Sequence, residues 1–423
     1  MRKQEYIVNR TDWPTVIIYL LLVLIGWVTI YAAGYQPDDP KSIFDLGTTA
    51  GKQFMFIVTS FVLIVAIMVI DFRFYSSNAV YIGYFATLAL LLLVLVVGRK
   101  ISGATSWFHF GSFGLQPSEF AKFATALAVA KYIHHYNVKF DKLKPLLLLA
   151  MMIGGPILLI LAQPDAGTAL VFSGFVIVLY REGLTPVILI LGLALIALFL
   201  IVLLVPPLYI YIGIGVIVVA YILFNLKSVK RILISIGAGL VTAALVFGLG
   251  FAITEVLQPH QQTRLKVLFN PDIDPLGAGW NVTQSKTAIG SGGFSGKGYL
   301  NGLVTKNEFV PEDETDFIFC TLSEEQGWLG SMLVILLYCA LILRVIVLAE
   351  RQKARIARVY GYSVAAVMFM HFSMNIGMTI GLFPVVGIPL PMLSYGGSSL
   401  WAFSILLFIL VKFDAHRMQL LKR

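Results

Sequence analysis

Charge and cysteine are what this chain of 423 residues has least of. Only 13% of its residues are charged and only two are cysteine, while 58% are hydrophobic. With a mean hydropathy of +0.87, a water-soluble globule is excluded. Cys320 and Cys339, the second inside an apolar run, give no reason to expect a structural disulfide or a thiolate metal site. There is no low-complexity segment and no strong internal repeat. No short apolar core with a small-residue cleavage site follows the start. The first run, Thr15 to Ala33, is long enough to span and is preceded by Arg2, Lys3 and Arg10, the pattern of an uncleaved first helix with its N-terminus inside.

Hydrophobic runs of spanning length predict an all-α polytopic membrane protein of about twelve transmembrane helices. They cover Thr15 to Ala33, Gln53 to Ile70, Ala79 to Gly98, Ser118 to Tyr136, Pro145 to Ala162, and a shorter Thr168 to Tyr180. Thr185 to Val205, Leu208 to Asn225, Ile232 to Leu257, Gly327 to Ala349, Val359 to Phe383 and Ser398 to Phe413 follow. Pro206-Pro207 alone joins two of these runs, which predicts a tight antiparallel pair. The chain reads as one membrane domain, 1–423. Its net charge of +9 does not point to nucleic acid, because the basic residues sit in short loops. Lys139, Lys142, Lys144, Arg181, Lys227, Lys230, Arg231, Arg351, Lys353, Arg355 and Arg358 all fall on one side, with Arg417, Lys422 and Arg423. That asymmetry puts both termini in the cytoplasm and the stretch 255–326 outside.

Ten of the 22 acidic residues lie in that outer stretch, between Glu255 and Glu325. A segment this long and this rich in Pro, Gly and charge is not a passive linker. On the outer face no ATP is at hand, and the glycine cluster from Gly290 to Gly298 fails as a phosphate-binding loop: Ser291 and Gly298 stand at the wrong places. A reaction here must use a substrate that carries its own activation, such as a lipid-linked pyrophosphate.

Within the stretch, Asp274 is followed by Pro275-Leu276-Gly277. It is either a turn residue or a general base for a sugar hydroxyl, with Asp272 as its rival. Arg264, Lys266, Lys286 and Lys297 are cations suited to an anionic leaving group, or they balance the nearby acids. Glu119 and Lys122 share one helix face, either at a water-filled cavity or as an interfacial ion pair. Asp165 fits a helix cap, Trp107 an interface aromatic and His371 a hydrogen-bonded core histidine. The segment Pro384 to Pro391, with Ser394-Tyr395-Gly396-Gly397 after it, is too rich in Pro and Gly to be continuous helix. It reads as backbone lining and closing the outer cavity. Asn281-Val282-Thr283 matches a glycosylation pattern and carries little weight.

Across these residues the chain resembles the SEDS family (shape, elongation, division and sporulation). The resemblance rests on Asp274 to Gly279, Gln284-Ser285-Lys286, Ala288 to Gly293, Gly296-Lys297-Gly298 and Glu308 to Glu312. It extends over Thr315-Asp316-Phe317-Ile318-Phe319, Glu324-Glu325, Pro384 to Pro391, Ser394 to Gly397, Gln116 to Glu119 and Gln163-Pro164-Asp165. It implies a peptidoglycan glycosyltransferase of the bacterial inner membrane that polymerises lipid II at the outer face, in cell elongation, beside a class B penicillin-binding protein. In such a protein Asp274 is the essential acid; on their own chemistry and placement, Glu119, Lys122, Arg264, Lys266, Lys286, Lys297, Ser394 and Tyr395 are expected to contact substrate. Trp107, Asp165 and Asp316 are expected to be structural or to line the cavity. No cofactor is implied with certainty, though a divalent cation, magnesium or manganese, would serve the leaving group. The family usually has ten transmembrane helices, so region 185–257 holds an extra helical hairpin. The alternatives are a flippase for the lipid-linked precursor and a non-catalytic scaffold for the penicillin-binding protein.

Overall fold

The computed structural model describes residues 10–37, 39–101, 103–110, 113–136, 138–275, 277–302 and 310–419. Arg2, Lys3, Leu276, Glu308, Phe309, Lys422 and Arg423, named above, lie outside the described residues. The helices are α1 (Trp13–Ala33), α2 (Thr49–Val69), α3 (Ala79–Val97), α4 (Pro117–His135), α5 (Leu143–Ala162), α6 (Ala166–Val171) and α7 (Phe175–Arg181). They continue as α8 (Pro186–Leu204), α9 (Pro207–Phe224), α10 (Val229–Phe251), α11 (Pro259–Val267), α12 (Ala278–Ser291), α13 (Ile318–Glu350), α14 (Arg355–Thr379) and α15 (Gly397–Ala415). The segment Arg99 to Gln116, read in the sequence as a loop, holds a small antiparallel sheet of β1 (Arg99–Ile101), β2 (Ala104–Phe110) and β3 (Phe113–Leu115), ordered β1-β2-β3.

Among the described residues nine helices are both long and apolar enough to cross a bilayer, against the twelve runs counted in the sequence. The others fall short for physical reasons. The segment Ala166–Arg181 that holds α6 and α7 is shorter than 18 residues and is broken by a 3-10 turn at Phe172–Gly174. Both α4 and α14 are lined by protein on most sides, so they hold Glu119, Lys122, Thr125, Ser363, His371 and Asn375 in their buried faces. Alanines 121, 124, 126, 128 and 130 let neighbours approach α4 closely.

The chain divides into two compact units, 1–184 with 280–423 and 185–279. In the first, α4, α14 and α15 form the core, and 89% of the residues in the most apolar stretch of α15 are buried. In the second, α8, α9 and α10 are each 6% buried by the same measure. Their apolar surface is uniform, as expected of helices facing lipid all round. Pro206 and Val205 are extended, so α8 and α9 touch at few residues and α9 packs mainly on α10. The expected tight pair is therefore displaced by one helix. The outer stretch is also more helical than expected: α11, α12 and the first turns of α13 lie within it.

At one end of the first unit, charged side chains tie helix ends together. Asp12 caps α1, accepting from Thr15 N at 3.3 Å and Thr15 Oγ1 at 2.6 Å, and Arg344 of α13 donates to both its oxygens, at 3.0 and 2.5 Å. Arg351 donates to Asp414 of α15 and to Asp12. Glu182 accepts from Arg355 at 2.9 Å and Arg358 at 3.0 Å. Burial pushes the Asp12 carboxyl up, but the hydrogen bonds from Arg344 and Thr15 outweigh it and hold its pKa at about 2, against 3.8 for a free aspartate.

Because the folded value is depressed, the Asp12 clasp contributes fully above about pH 4 and is lost as pH falls through 2. Thermal unfolding in detergent between pH 5 and 2 should show this loss. Asp12→Asn should flatten it and cost about 3 kcal/mol at neutral pH, by taking the carboxylate from Arg344 and leaving Arg351 only Asp414.

Candidate active site

Asp274 lies in the second unit, at the end of a 3-10 turn, Pro271–Ile273, that packs on α11. The Asn270 side chain opens the turn by accepting from Asp272 N at 3.1 Å. The Asp274 carbonyl closes it, accepting from Gly277 N at 3.3 Å and Gly279 N at 3.1 Å. A Cβ on Gly277 would sit 2.3 Å from Asp274 Oδ2, and one on Gly279 would sit 2.0 Å from the Pro271 carbonyl. Gly279 is thus required where the chain folds back on its own backbone, whereas at Gly277 a Cβ would displace the Asp274 carboxylate itself. Asp274 is half-buried and Asp272 exposed. Arg264 and Lys266 stand in the last turn of α11, the element against which the turn packs. The turn reading and the carboxylate reading are both compatible with this geometry.

In the first unit, several candidates converge at the end opposite the arginine clasp. Gln116 donates through Nε2 to Asp165 at 3.1 Å and through its backbone N–H to Ser398 Oγ at 3.2 Å. Asp165 caps α6, accepting from Thr168 N at 3.0 Å and Oγ1 at 2.9 Å. Trp107 lies in β2, paired with Arg99 across the strand and packed on Gly114. The segment 384–396 is pinned by side chains: Asn375 Nδ2 donates to the carbonyls of Ile388 at 2.7 Å and Asp316 at 2.8 Å. Ser394 Oγ accepts from Leu390 N at 2.8 Å and donates to the Thr315 carbonyl. Tyr395 N donates to the Glu314 carbonyl at 2.9 Å. Glu314 itself accepts from Thr49 at 2.7 Å, and burial raises its pKa against that hydrogen bond.

Below this layer, Glu119 and Lys122 are both 2% exposed at the side chain and 2.6 Å apart. Burying two charges costs several kcal/mol per ion unless every donor is met. Lys122 Nζ has two further partners, His371 Nε2 at 2.8 Å and the face of Phe403 at 4.9 Å. His371 Nδ1 lies 3.2 Å from the Pro389 carbonyl, so the proton sits on Nδ1 and Nε2 offers its lone pair to the ammonium. His371 is thus the hydrogen-bonded core histidine expected from its apolar helix, and its contact with Lys122 has no local signal in the sequence. Glu119 Oε2 is buried without a hydrogen-bond partner among the described residues. The crevice beside it, between Phe123, Val367, Phe403 and Leu406, is too narrow for a water molecule.

The glycine cluster proves to be a joint. α13 is interrupted at Gly327, with φ 63° and ψ −160°. Lys297 N and Gly298 N donate to the carbonyls of Glu324 and Glu325 that end the first part, at 3.1 and 3.0 Å. Trp328 N and Leu329 N of the second part donate to the carbonyls of Gly293 and Phe294, at 2.9 and 3.2 Å. Backbone packs on backbone here: a Cβ on Gly292, Gly296 or Gly327 would approach another main chain to 2.0–2.2 Å. Lys297 is 2.6 Å from Glu324, a fully buried carboxylate. Lys286, exposed on α12, lays its chain across Gly381. The structure therefore groups Glu119, Lys122 and His371, groups Ser394, Tyr395 and Asp316, and gives Lys297 a structural partner. Among the described residues no set of three His, Cys, Asp or Glu is arranged to hold a metal ion.

The FtsW/RodA/SpoVE family model, described as "Cell cycle protein", matches residues 12–212 and 208–419. The chain is 32% identical to "Peptidoglycan glycosyltransferase RodA" of Treponema pallidum, covering 97% of this chain and 99% of the relative. It is 33% identical to "Peptidoglycan glycosyltransferase MrdB" of Escherichia coli K12, covering 98% of each. Among solved structures, a chain from work on the structural coordination of polymerization and crosslinking by a peptidoglycan synthase complex superposes with a TM-score of 0.71 at 26% identity. It covers 97% of this chain and 99% of that one.

Lys122→Met should destabilise the protein by roughly 3–5 kcal/mol, since it strands a buried Glu119, and Glu119→Leu with Lys122→Met should restore most of that loss. Thermal unfolding measures both; a stable double variant without catalysis separates the pair's chemistry from its packing. Gly296→Ala, with φ +80° and no room for a Cβ, should cost roughly 3 kcal/mol in the same assay.

Proposed function

The chain belongs to the FtsW/RodA/SpoVE family of cell cycle proteins, and on that premise we propose that it is a peptidoglycan glycosyltransferase polymerising lipid II with Asp274 as its base. The observation that carries the assignment of the base is the Asp274 turn: a half-buried carboxylate beside Gly277, on a turn that requires Gly279 and packs on the helix that bears Arg264 and Lys266. In this reading Asp274 takes the proton from the 4-hydroxyl of the acceptor N-acetylglucosamine. That oxygen attacks the anomeric carbon of the donor N-acetylmuramic acid, and the bond to undecaprenyl pyrophosphate breaks. The departing pyrophosphate gains negative charge, which Arg264 and Lys266 are suited to meet. Glu119 and Lys122 hold the opposite role: they are dry and mutually bound, below the layer that holds Asp165, Ser394, Tyr395, Asp316 and Trp107.

On the charge asymmetry of the loops, the stretch 255–326 is extracytoplasmic and both termini are cytoplasmic in a bacterial inner membrane. We count α4, α14 and the α6 and α7 pair as crossings besides the nine apolar spans, giving twelve, with the extra hairpin in 185–257. The partner is a class B penicillin-binding protein; similarity to a chain of a peptidoglycan synthase complex supports this. Similarity over nearly the whole length to RodA and MrdB supports a place in elongation.

A positioned general base is worth typically ~100- to 10,000-fold. Purified Asp274→Ala should therefore keep its thermal unfolding profile and lose glycan synthesis from lipid II by that factor, in liposomes with the partner's transpeptidase inactivated. Normal polymer from this variant removes Asp274 as the base. Labelled lipid crossing liposomes without polymer from the wild type favours a flippase.

A further inference from the structure

A second polar cavity lies far from Ser394 and Glu314, at the arginine-rich end of the first unit. It has a volume of about 370 Å³ and is bounded by Arg10, Asp12, Arg351, Asp414, Arg417 and Met418, where the start of α1 meets the ends of α13 and α15. Its carboxylates are already committed. Asp12 accepts from Arg344, Arg351 and Thr15, and Asp414 accepts from Arg351 and, at 2.8 Å, from Gln352. Arg417 reaches Asp414 only at 3.5 Å and is 43% exposed. Counting Arg344 behind the wall, four guanidiniums face two carboxylates, so the pocket keeps an excess of positive charge.

Its depth in the membrane can be read from α1. Trp13, the first residue of that helix, is exposed, and below it Ile17, Leu20, Leu21 and Leu24 are exposed too. A tryptophan at the head of a lipid-facing apolar stripe marks the headgroup level. The arginines one turn above it are therefore level with lipid phosphates. Guanidinium groups match phosphate oxygens in pairs, and basic pockets between helix ends suit anionic headgroups. A cavity of this size accommodates a phosphate with a small polyol.

We propose that this pocket binds the phosphate headgroup of an anionic phospholipid, with Arg10 and Arg417 as its phosphate ligands. The clasp of Arg344, Arg351, Asp12 and Asp414 forms its rigid back wall. Bound lipid would then join the start of α1 to the ends of α13 and α15. The site is separate from the proposed catalytic residues and does not depend on them.

The test uses the full chain in detergent, with native mass spectrometry for bound lipid and thermal unfolding for its effect. Phosphatidylglycerol should bind and raise the unfolding temperature, whereas phosphatidylcholine should do neither. Arg10→Ala with Arg417→Ala should weaken phosphatidylglycerol binding roughly 30-fold, from about a kcal/mol for each cation near the headgroups, while Arg417→Lys keeps much of it. Equal binding of the two lipids overturns the proposal, and this comparison needs no variant. Unchanged binding in the folded double variant also overturns it. Equal stabilisation by inorganic phosphate alone would mean a free-anion site and reject the lipid.

Discussion

Every backbone donor and acceptor held away from water must find a partner inside the protein, and the irregular segments of this molecule exist only where that demand is met. The segment 384–396 has no helix of its own to bond with. Asn375, His371 and Tyr338, each fully buried, satisfy the carbonyls of Ile388, Pro389 and Pro391, and Ser394 joins its own amide neighbour to Thr315. Three of these side chains project from α13 and α14, so the core helices carry polar residues that a purely apolar span would exclude. This is also why α14 is less hydrophobic than its neighbours.

The same demand explains the break in α13. A helix that stops and restarts exposes carbonyls on one side and amides on the other. The glycine segment 292–298 meets both sets with its own backbone, and only glycine lets two main chains come so close. Buried Glu324 then takes Lys297 as its partner. A cluster that fails in sequence as a phosphate-binding loop is here a structural joint.

The two ends of the first unit follow opposite rules. At one, partly exposed arginines lock helix ends together through buried acids and leave a positive pocket. At the other, acids are capped, buried or paired with neutral donors such as Thr49, Thr168 and Gln116. Lys122 joins the second end to the core through His371 and Pro389. A change in the segment 384–396 would thus be felt, through His371, at a buried ion pair more than 250 residues away in sequence.

Much of this was legible from the chain itself. Apolar run length and loop charge mark the spans, and Asp-Pro-x-Gly marks the Asp274 turn, because these signals depend only on neighbours in sequence. The Glu119 and Lys122 pairing follows from helical spacing and is observed. What sequence could not supply was the third partner: His371 is 249 residues from Lys122, and nothing local says that an imidazole will meet that ammonium. Helix counts blurred for a related reason. Whether a moderately polar run such as α4 is a buried helix or a surface one depends on what surrounds it, as does whether a glycine is a hinge, a cradle or a point of contact. Those choices are settled by burial and by long-range hydrogen bonds, which only the folded chain creates.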